Sequence, residues 1–503
     1  MMSTRSVPSS PARRAISRIG GQGALLVAGF AGAQGCSFLR NALLGHWLSQ
    51  GDFGIAAAIT LMLQLVDTLS DIGADRLLIQ APDGDEPRLQ ATAHVTLIAR
   101  GAATSVLLLL AAAPTTSFFG IPEATWAFEL ISLAPVIKGF IHLDARRYQR
   151  SLRNRPQVMI ELLPQLAALL LAIPALFITP DYSVVVWLAL LQAAIALVVS
   201  HTMSERPYRV ALDAGDLRRL VRFGWPIWLS AFPLVAVYQG DRMIVGGLLG
   251  IEDLAAYTTA FMITMVPGLV AARVGNALML PLLSEVRAHP LQFRQRYRIM
   301  FELIAILATT YLAFFVAAGD SLLPIVFGQN YLGLGAIVAC LAGMWAMRML
   351  QSVPGMALMA KGDTRPLLWA GLVRAAGLPL AILAVHLGFG LFGAAAAGLA
   401  AEALSLVYIV ARTSRHASVG WPLSATCMAM LLGAATCGSL IAISLEGMEP
   451  GRLLVAVMAT MFVLAAGLLA MPSSRQIMFE RHSWRALLSA GAKAKGRDAN
   501  APA

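Results

Sequence analysis

The chain has 503 residues, 58% of them hydrophobic and only 13% charged, with a formal net charge of +11. A soluble protein carries about 25% charged residues, so this composition excludes a soluble globular domain and indicates an integral membrane protein. On a soluble chain the basic excess would suit nucleic acid; here its placement along the chain decides what it means.

The first 20 residues are rich in Ser, Pro and Arg and are expected to form a disordered basic tail. The apolar stretch behind Arg18 runs on to about Leu44 without a small-residue cleavage site, so it reads as an uncleaved first span. Further apolar runs recur, each close to the length of about 20 residues that crosses a bilayer. Spans are expected at 21–45, 54–76, 91–113, 124–143, 157–178, 182–202, 223–249, 255–283, 299–318, 331–352, 366–386, 390–411, 422–444 and 452–472. This all-α chain of fourteen transmembrane helices divides into a six-helix bundle (21–202), a linker with an interfacial helix (203–222) and a second six-helix bundle (223–411). Two further helices (412–472) and a basic tail (473–503) follow. Segments 216–222, 284–300 and 476–489 mix Arg with large apolar residues and read as surface-lying helices or as plain connectors.

With the N-terminus placed in the cytoplasm, thirty of the 38 basic residues fall in cytoplasmic segments, one (Arg452) faces outward and seven lie within spans. This positive-inside asymmetry supports fourteen helices with both termini cytoplasmic. It also accounts for the basic balance without nucleic acid, because such loops face anionic lipid. Outward loops are short, the longest lying around 319–331, which leaves no room for a periplasmic catalytic domain. There is no GxxxxGK[ST] phosphate loop, so no ATPase is built in. Cys36, Cys340, Cys427 and Cys437 all sit in apolar runs and form no CxxC, which points to small buried hydrophobes rather than a disulfide framework or a metal site. No cofactor is expected.

Charged residues inside the spans carry the functional signal. Asp241 and Arg242 stand side by side in the seventh span, nine residues before the break at Gly250. That is about 13 Å of helix at ~1.5 Å per residue, well inside a hydrocarbon core of about 30 Å. Charges at such depth are tolerated only where they face protein or water. Arg40 occupies a similar place in the first span. From Arg40 an aliphatic run leads to an acidic turn at Asp52 twelve residues on; from Arg242 a similar run leads to Asp253 eleven residues on. Both helices run outward, so the halves read as parallel repeats about an axis along the membrane normal.

These residues carry a resemblance. Leu44-Gly45 through Asp52-Phe53-Gly54, Ser70-Asp71-Ile72-Gly73-Ala74, Asp241-Arg242 with Ile244-Val245-Gly246 and Leu249-Gly250, and Leu280-Pro281-Leu282-Leu283-Ser284-Glu285 follow one another at characteristic spacing. In this order, on a 6+6+2 helix plan, they resemble the polysaccharide flippases of the multidrug/oligosaccharidyl-lipid/polysaccharide exporter superfamily. The resemblance implies two bundles around a central cavity in a bacterial inner membrane. It implies transfer of an undecaprenyl-pyrophosphate-linked oligosaccharide from the cytoplasmic to the periplasmic leaflet, with a polysaccharide polymerase and chain-length proteins as further candidate partners. A cation-coupled multidrug exporter of the same superfamily is the alternative; its members usually have twelve helices and a less basic cavity. A membrane polymerase or ligase is the third reading, and the short outer loops argue against it.

Carrying a pyrophosphate head through a membrane requires cations in a polar cavity, and the planar guanidinium of Arg matches phosphate oxygens. Six of the seven basic residues within spans are Arg. Arg40, Arg242, Arg273, Arg100 and Arg374 are the candidate substrate-binding cations; structural ion pairs are the competing reading. For Arg273 the resemblance adds that cations in that helix belong to the pattern of lipid-pyrophosphate transporters. Lys138 and Arg348 are expected to snorkel to the interface. Asp67, Asp241 and Glu402 are the candidates for ion coupling or charge balance, and Asp71 is in reach of Arg76.

Overall fold

The computed structural model describes residues 11–417 apart from Leu152, together with parts of 457–465; within this range no side chain is described for 11–24, 270–278, Pro281 or 415–417. The expected spans 422–444 and 452–472 and the basic tail 473–503 lie outside the described residues, except for those parts of 457–465. So does the beginning of the N-terminal tail, 1–10.

Among the described residues every regular element is helical. The first twelve expected spans fall on α1 (Pro11–Trp47), α2 (Gln50–Leu69), α4 (Pro87–Phe119), the broken pair α5 (Thr125–Ile131) and α6 (Leu133–Gly139), α8 (Arg155–Ile178), α9 (Ser183–Thr202), α10 (Ala214–Leu248), α11 (Ile251–Glu285), α12 (Pro290–Phe327), α13 (Gly335–Ala360), the pair α14 (Arg365–Ala375) and α15 (Gly377–Ala384), and α16 (Gly390–Ala417). Two short helices, α3 (Ala74–Gln80) and α7 (Asp144–Arg150), sit in connections. Eight helical stretches among the described residues are long and apolar enough to cross a membrane, or nine if a pair bent by 55° at residues 140–143 counts as one. Their outer faces are apolar: Leu170, Phe177 and Ile178 on α8 and Val106, Leu107 and Leu110 on α4 are exposed, as lipid-facing side chains must be.

Three helices start earlier than hydropathy places them. α1 begins at Pro11, within the segment expected to be a tail; Pro pre-sets the first helical turn and Ala and Arg continue it readily. α10 begins at Ala214 and runs unbroken through the expected interfacial segment into the seventh span. The Asp213 carboxylate caps it, accepting from the Gly215 and Asp216 N–H groups at 2.9 Å each. α12 likewise absorbs 290–298.

The chain forms two compact units, Met1–Ala255 and Ala256–Ala503. In the first, α1 packs on α8, α8 on α9, and α10 on α2 and α4. Its core joins Ile55, Ile59 and Leu61 of α2 to Phe119, Phe128, Ile131, Val186 and Leu254. A second cluster, with Leu77, Leu78, Leu89, Leu143 and Leu220, closes one end. In the second unit, α13 is buried along most of its length and packs against α12 and α16. The α12–α13 turn is pinned by the Gly335 N–H, which donates to the Asp320 carboxylate at 3.1 Å.

Candidate functional site

In the first unit two arginines inside spans are held by neutral amides. The half-buried Arg40 donates from Nη1 to Gln165 Oε1 on α8 at 3.3 Å and from Nη2 to Asn41 Oδ1 at 3.3 Å and Ser37 Oγ at 3.5 Å. Gln165 Oε1 also accepts from Gln192 Nε2 on α9 at 3.4 Å. Among the described residues no carboxylate lies within 4.0 Å of the Arg40 guanidinium. Arg242, buried on α10, donates from Nη2 to the Tyr238 carbonyl at 3.1 Å and to Gln239 Oε1. Gln239 Nε2 in turn donates to Gln64 Oε1 on α2 at 3.2 Å. Arg40 and Arg242 therefore share a construction, guanidinium to Gln to a second Gln on a neighbouring helix. An amide oxygen orients a guanidinium and satisfies its donors without itself carrying an opposite charge. Asp241 is buried beside Arg242 and accepts its backbone N–H at 2.8 Å.

A different chemistry surrounds Arg100 and Asp67. They line a cleft of about 470 Å³ in the first unit, with Asp71, Asp75, Lys138 and Arg146. Lys138 Nζ lies 2.9 Å from Asp67 Oδ2, Arg76 3.0 Å from Asp71, and Arg146 2.9 Å from Asp75. Arg100 donates to the Asp67 carbonyl at 2.9 Å and to Ser70 Oγ at 3.1 Å, and lies 3.7 Å from Asp71. Here every carboxylate sits on a cation. Lys138 does not snorkel to water alone: a carboxylate on the facing helix is within its reach and holds it.

In the second unit Glu402 of α16 is fully buried and takes two arginines. Arg348 Nε lies 2.5 Å from Oε1, and Arg374 Nε lies 3.4 Å from Oε2. Gln351 Nε2 donates to Glu402 Oε2 at 3.0 Å, while its own Oε1 accepts from Arg374 at 3.2 Å and from Ser405 Oγ at 3.3 Å. Arg348 was expected to snorkel; its side chain is only 7% exposed, because Glu402 and the Trp345 ring, 5.0 Å from the guanidinium, offer a nearer partner than water does. Arg374 and Glu402 thus form one network tying α13, α14 and α16. Arg273 lies on α11, and its side chain is outside the described residues.

The glutamines escaped the sequence reading, which followed formal charges. Their signal was present: Gln64, Gln165, Gln192, Gln239 and Gln351 interrupt apolar runs, where an unpartnered amide is costly.

Outside the spans, bidentate pairing fixes the linker. Arg219 donates to Asp83 at 2.5 and 2.7 Å, and this hydrogen-bonded guanidinium holds the Asp83 carboxyl below its usual range. Asp144, fully buried at the start of α7, accepts from Arg147 at 2.7 and 3.1 Å and from the Glu205 and Arg206 N–H groups. Burial pushes its carboxyl up, and these donors outweigh burial and leave it below the ordinary value. Among the described residues no group of three His, Cys, Asp or Glu is placed to hold a metal ion.

Comparison with known proteins agrees with this architecture. The chain is 22% identical to the teichuronic acid biosynthesis protein TuaB of Bacillus subtilis over 332 residues, 64% of this chain and 67% of that protein. It is 19% identical to the lipopolysaccharide biosynthesis protein WzxC of Escherichia coli over 331 residues, 65% of this chain and 67% of that one. Its fold is similar to the lipid II flippase MurJ in an inward closed conformation, with TM-score 0.67 and 10% identity, over 88% of this chain and 97% of that one. It is also similar to an inward-facing multidrug resistance MATE family transporter, with TM-score 0.66 and 11% identity, over 76% and 94% of the two chains. The model of one family, described as polysaccharide biosynthesis protein, matches residues 43–336, more than half of the sequence, and the chain belongs to that family.

Proposed function

We propose that the chain is a flippase that moves an undecaprenyl-pyrophosphate-linked oligosaccharide from the cytoplasmic to the periplasmic leaflet of a bacterial inner membrane. In this reading fourteen helices, with both termini cytoplasmic, work by alternating access around an Arg-lined cavity. The observation that carries it is Arg40: a cation within a span, held by Gln165, Asn41 and Ser37, with no carboxylate within 4.0 Å among the described residues. A charge kept in the membrane without a counter-ion costs stability and marks a transported or bound partner of opposite sign. The carboxylates of the cleft around Asp67 and Asp71 sit on cations, which argues against capture of a cationic drug there.

The test is polymer export in a host whose own exporter is deleted. Arg40→Gln is expected to lower export at least about tenfold, the loss of one charge-assisted phosphate contact of about 1.5–3 kcal/mol. Arg40→Lys should restore part of it. Full export by Arg40→Gln at normal membrane abundance would sink the anion-cavity mechanism.

A further inference from the structure

A second basic pocket lies in the second unit, and its lining includes none of the candidate cations above. It has a volume of about 630 Å³ and is lined by Lys361, Asp363, Arg365, Trp369, Tyr408 and Arg412. The tight turn between α13 and α14 contributes Lys361, Gly362 and Asp363 to the lining, with Gly362 at φ +79°, a conformation that favours glycine. Asp363 Oδ1 accepts the Arg365 N–H at 3.3 Å across the turn. The three cations leave the lining with a net charge of +2.

The order of residues along the two helices shows what the pocket suits. On α14, Arg365 stands at the helix end and Trp369 one turn further in; on α16, Arg412 stands near the end and Tyr408 one turn further in. Residues four apart share a helix face, so each helix presents an arginine above an aromatic ring, about 6 Å apart along the axis. The Arg412 guanidinium lies 5.7 Å from the Tyr408 ring, and Lys361 lies 4.9 Å from the Phe293 ring of α12. Next to Trp369, which is 57% exposed, Leu368 and Leu372 are also exposed and run down the outside of α14. Cations at the outermost level, amphipathic rings one turn further in, and apolar side chains beside (Leu368) and below (Leu372) the Trp369 ring match the layering of a phospholipid: phosphate, glycerol ester and acyl chain. A free phosphate needs only the first layer.

We propose that this pocket is a binding site for the phosphate of an anionic phospholipid, whose acyl chains lie along Leu368 and Leu372. The site does not depend on the substrate reading above. Phosphate chemistry is shared by three sources, and the test separates them. Full-length protein in dodecyl maltoside is titrated with phosphatidylglycerol or phosphatidylcholine, and bound lipid is counted by native mass spectrometry. Wild type should prefer phosphatidylglycerol by about tenfold or more, since each surface arginine contributes about 1 kcal/mol toward an anionic lipid. Arg365→Gln with Arg412→Gln should abolish the preference, and Arg365→Lys with Arg412→Lys should retain it, which separates charge from fold. An unchanged preference in the glutamine variant would overturn the proposal. Displacement of phosphatidylglycerol by millimolar inorganic phosphate would overturn it in favour of a free-phosphate site. Displacement by equimolar undecaprenyl pyrophosphate would overturn it in favour of a substrate site.

Discussion

Single residues show most clearly what the sequence can and cannot say. An Arg within an apolar run is legible as exceptional from the sequence alone. Its partner is not, because the partner is chosen by helix packing. Arg40 and Arg374 look alike in sequence, yet one is held by Gln165 and the other lies 3.4 Å from a buried carboxylate. Glu402 therefore has a structural prediction. Glu402→Ala leaves Arg348 and Arg374 without their shared counter-ion in a dry interior, which typically costs about 3–5 kcal/mol. Thermal unfolding in detergent should fall markedly. Adding Arg348→Met should recover part of the loss, because it removes an uncompensated charge. If Glu402→Ala unfolds at the wild-type temperature, the network does not tie α13, α14 and α16.

At the scale of elements, hydropathy located the twelve helix sites within the described residues but not their ends. α10 extends past its apolar run because the Asp213 cap, not hydrophobicity, decides where it begins, and α12 starts on an amphipathic turn with Pro290 at its first position. The linker before α10 also holds more order than its polar composition suggests. Asp144 accepts two of its N–H groups, His142 Nε2 lies 3.0 Å from the Arg206 carbonyl, His94 Nδ1 lies 2.9 Å from the Arg209 carbonyl, and Thr92 Oγ1 accepts the Asp213 N–H at 3.2 Å. Each ring nitrogen facing a carbonyl must be the protonated one, because the other ring nitrogen accepts a backbone N–H, from Asp144 in His142 and from Leu143 in His94. For Asp144 the folded-state carboxyl lies below its unfolded value of about 4. Its contribution is then fully present above that value and is lost only as pH falls through the lower, folded one. The Asp144 contribution is therefore constant from pH 5 to 7, and Asp144→Asn should speed limited proteolysis of segment 204–213 across that whole range. A cleavage rate equal to wild type would show that the linker is held without it.

For the molecule as a whole, the repeat motif read from Arg40 to Asp52 and from Arg242 to Asp253 gains physical content inside the first unit. The two turns that follow these arginines meet: Gly54, just past the first turn, lies directly against the Ile251 carbonyl, which begins the second, leaving no space for a side chain. The unit containing that contact also holds both arginines bound through glutamine pairs, whereas Arg348 and Arg374 in the other unit share a carboxylate. The turn contact predicts that Gly54→Val forces the two turns apart and destabilises the first unit by about 1–3 kcal/mol, the usual range for overpacking. Because Arg40 and Arg242 stand on the helices entering those turns, the same variant should lower polymer export even at temperatures where the protein remains folded. Gly51→Ala, whose added carbon would meet only Ser49 Oγ at 3.9 Å, is the control expected to leave both unchanged. Equal unfolding temperature and equal export for Gly54→Val and wild type would show that the two turns need no close approach, and the repeat would then be a likeness of sequence without a shared mechanical role.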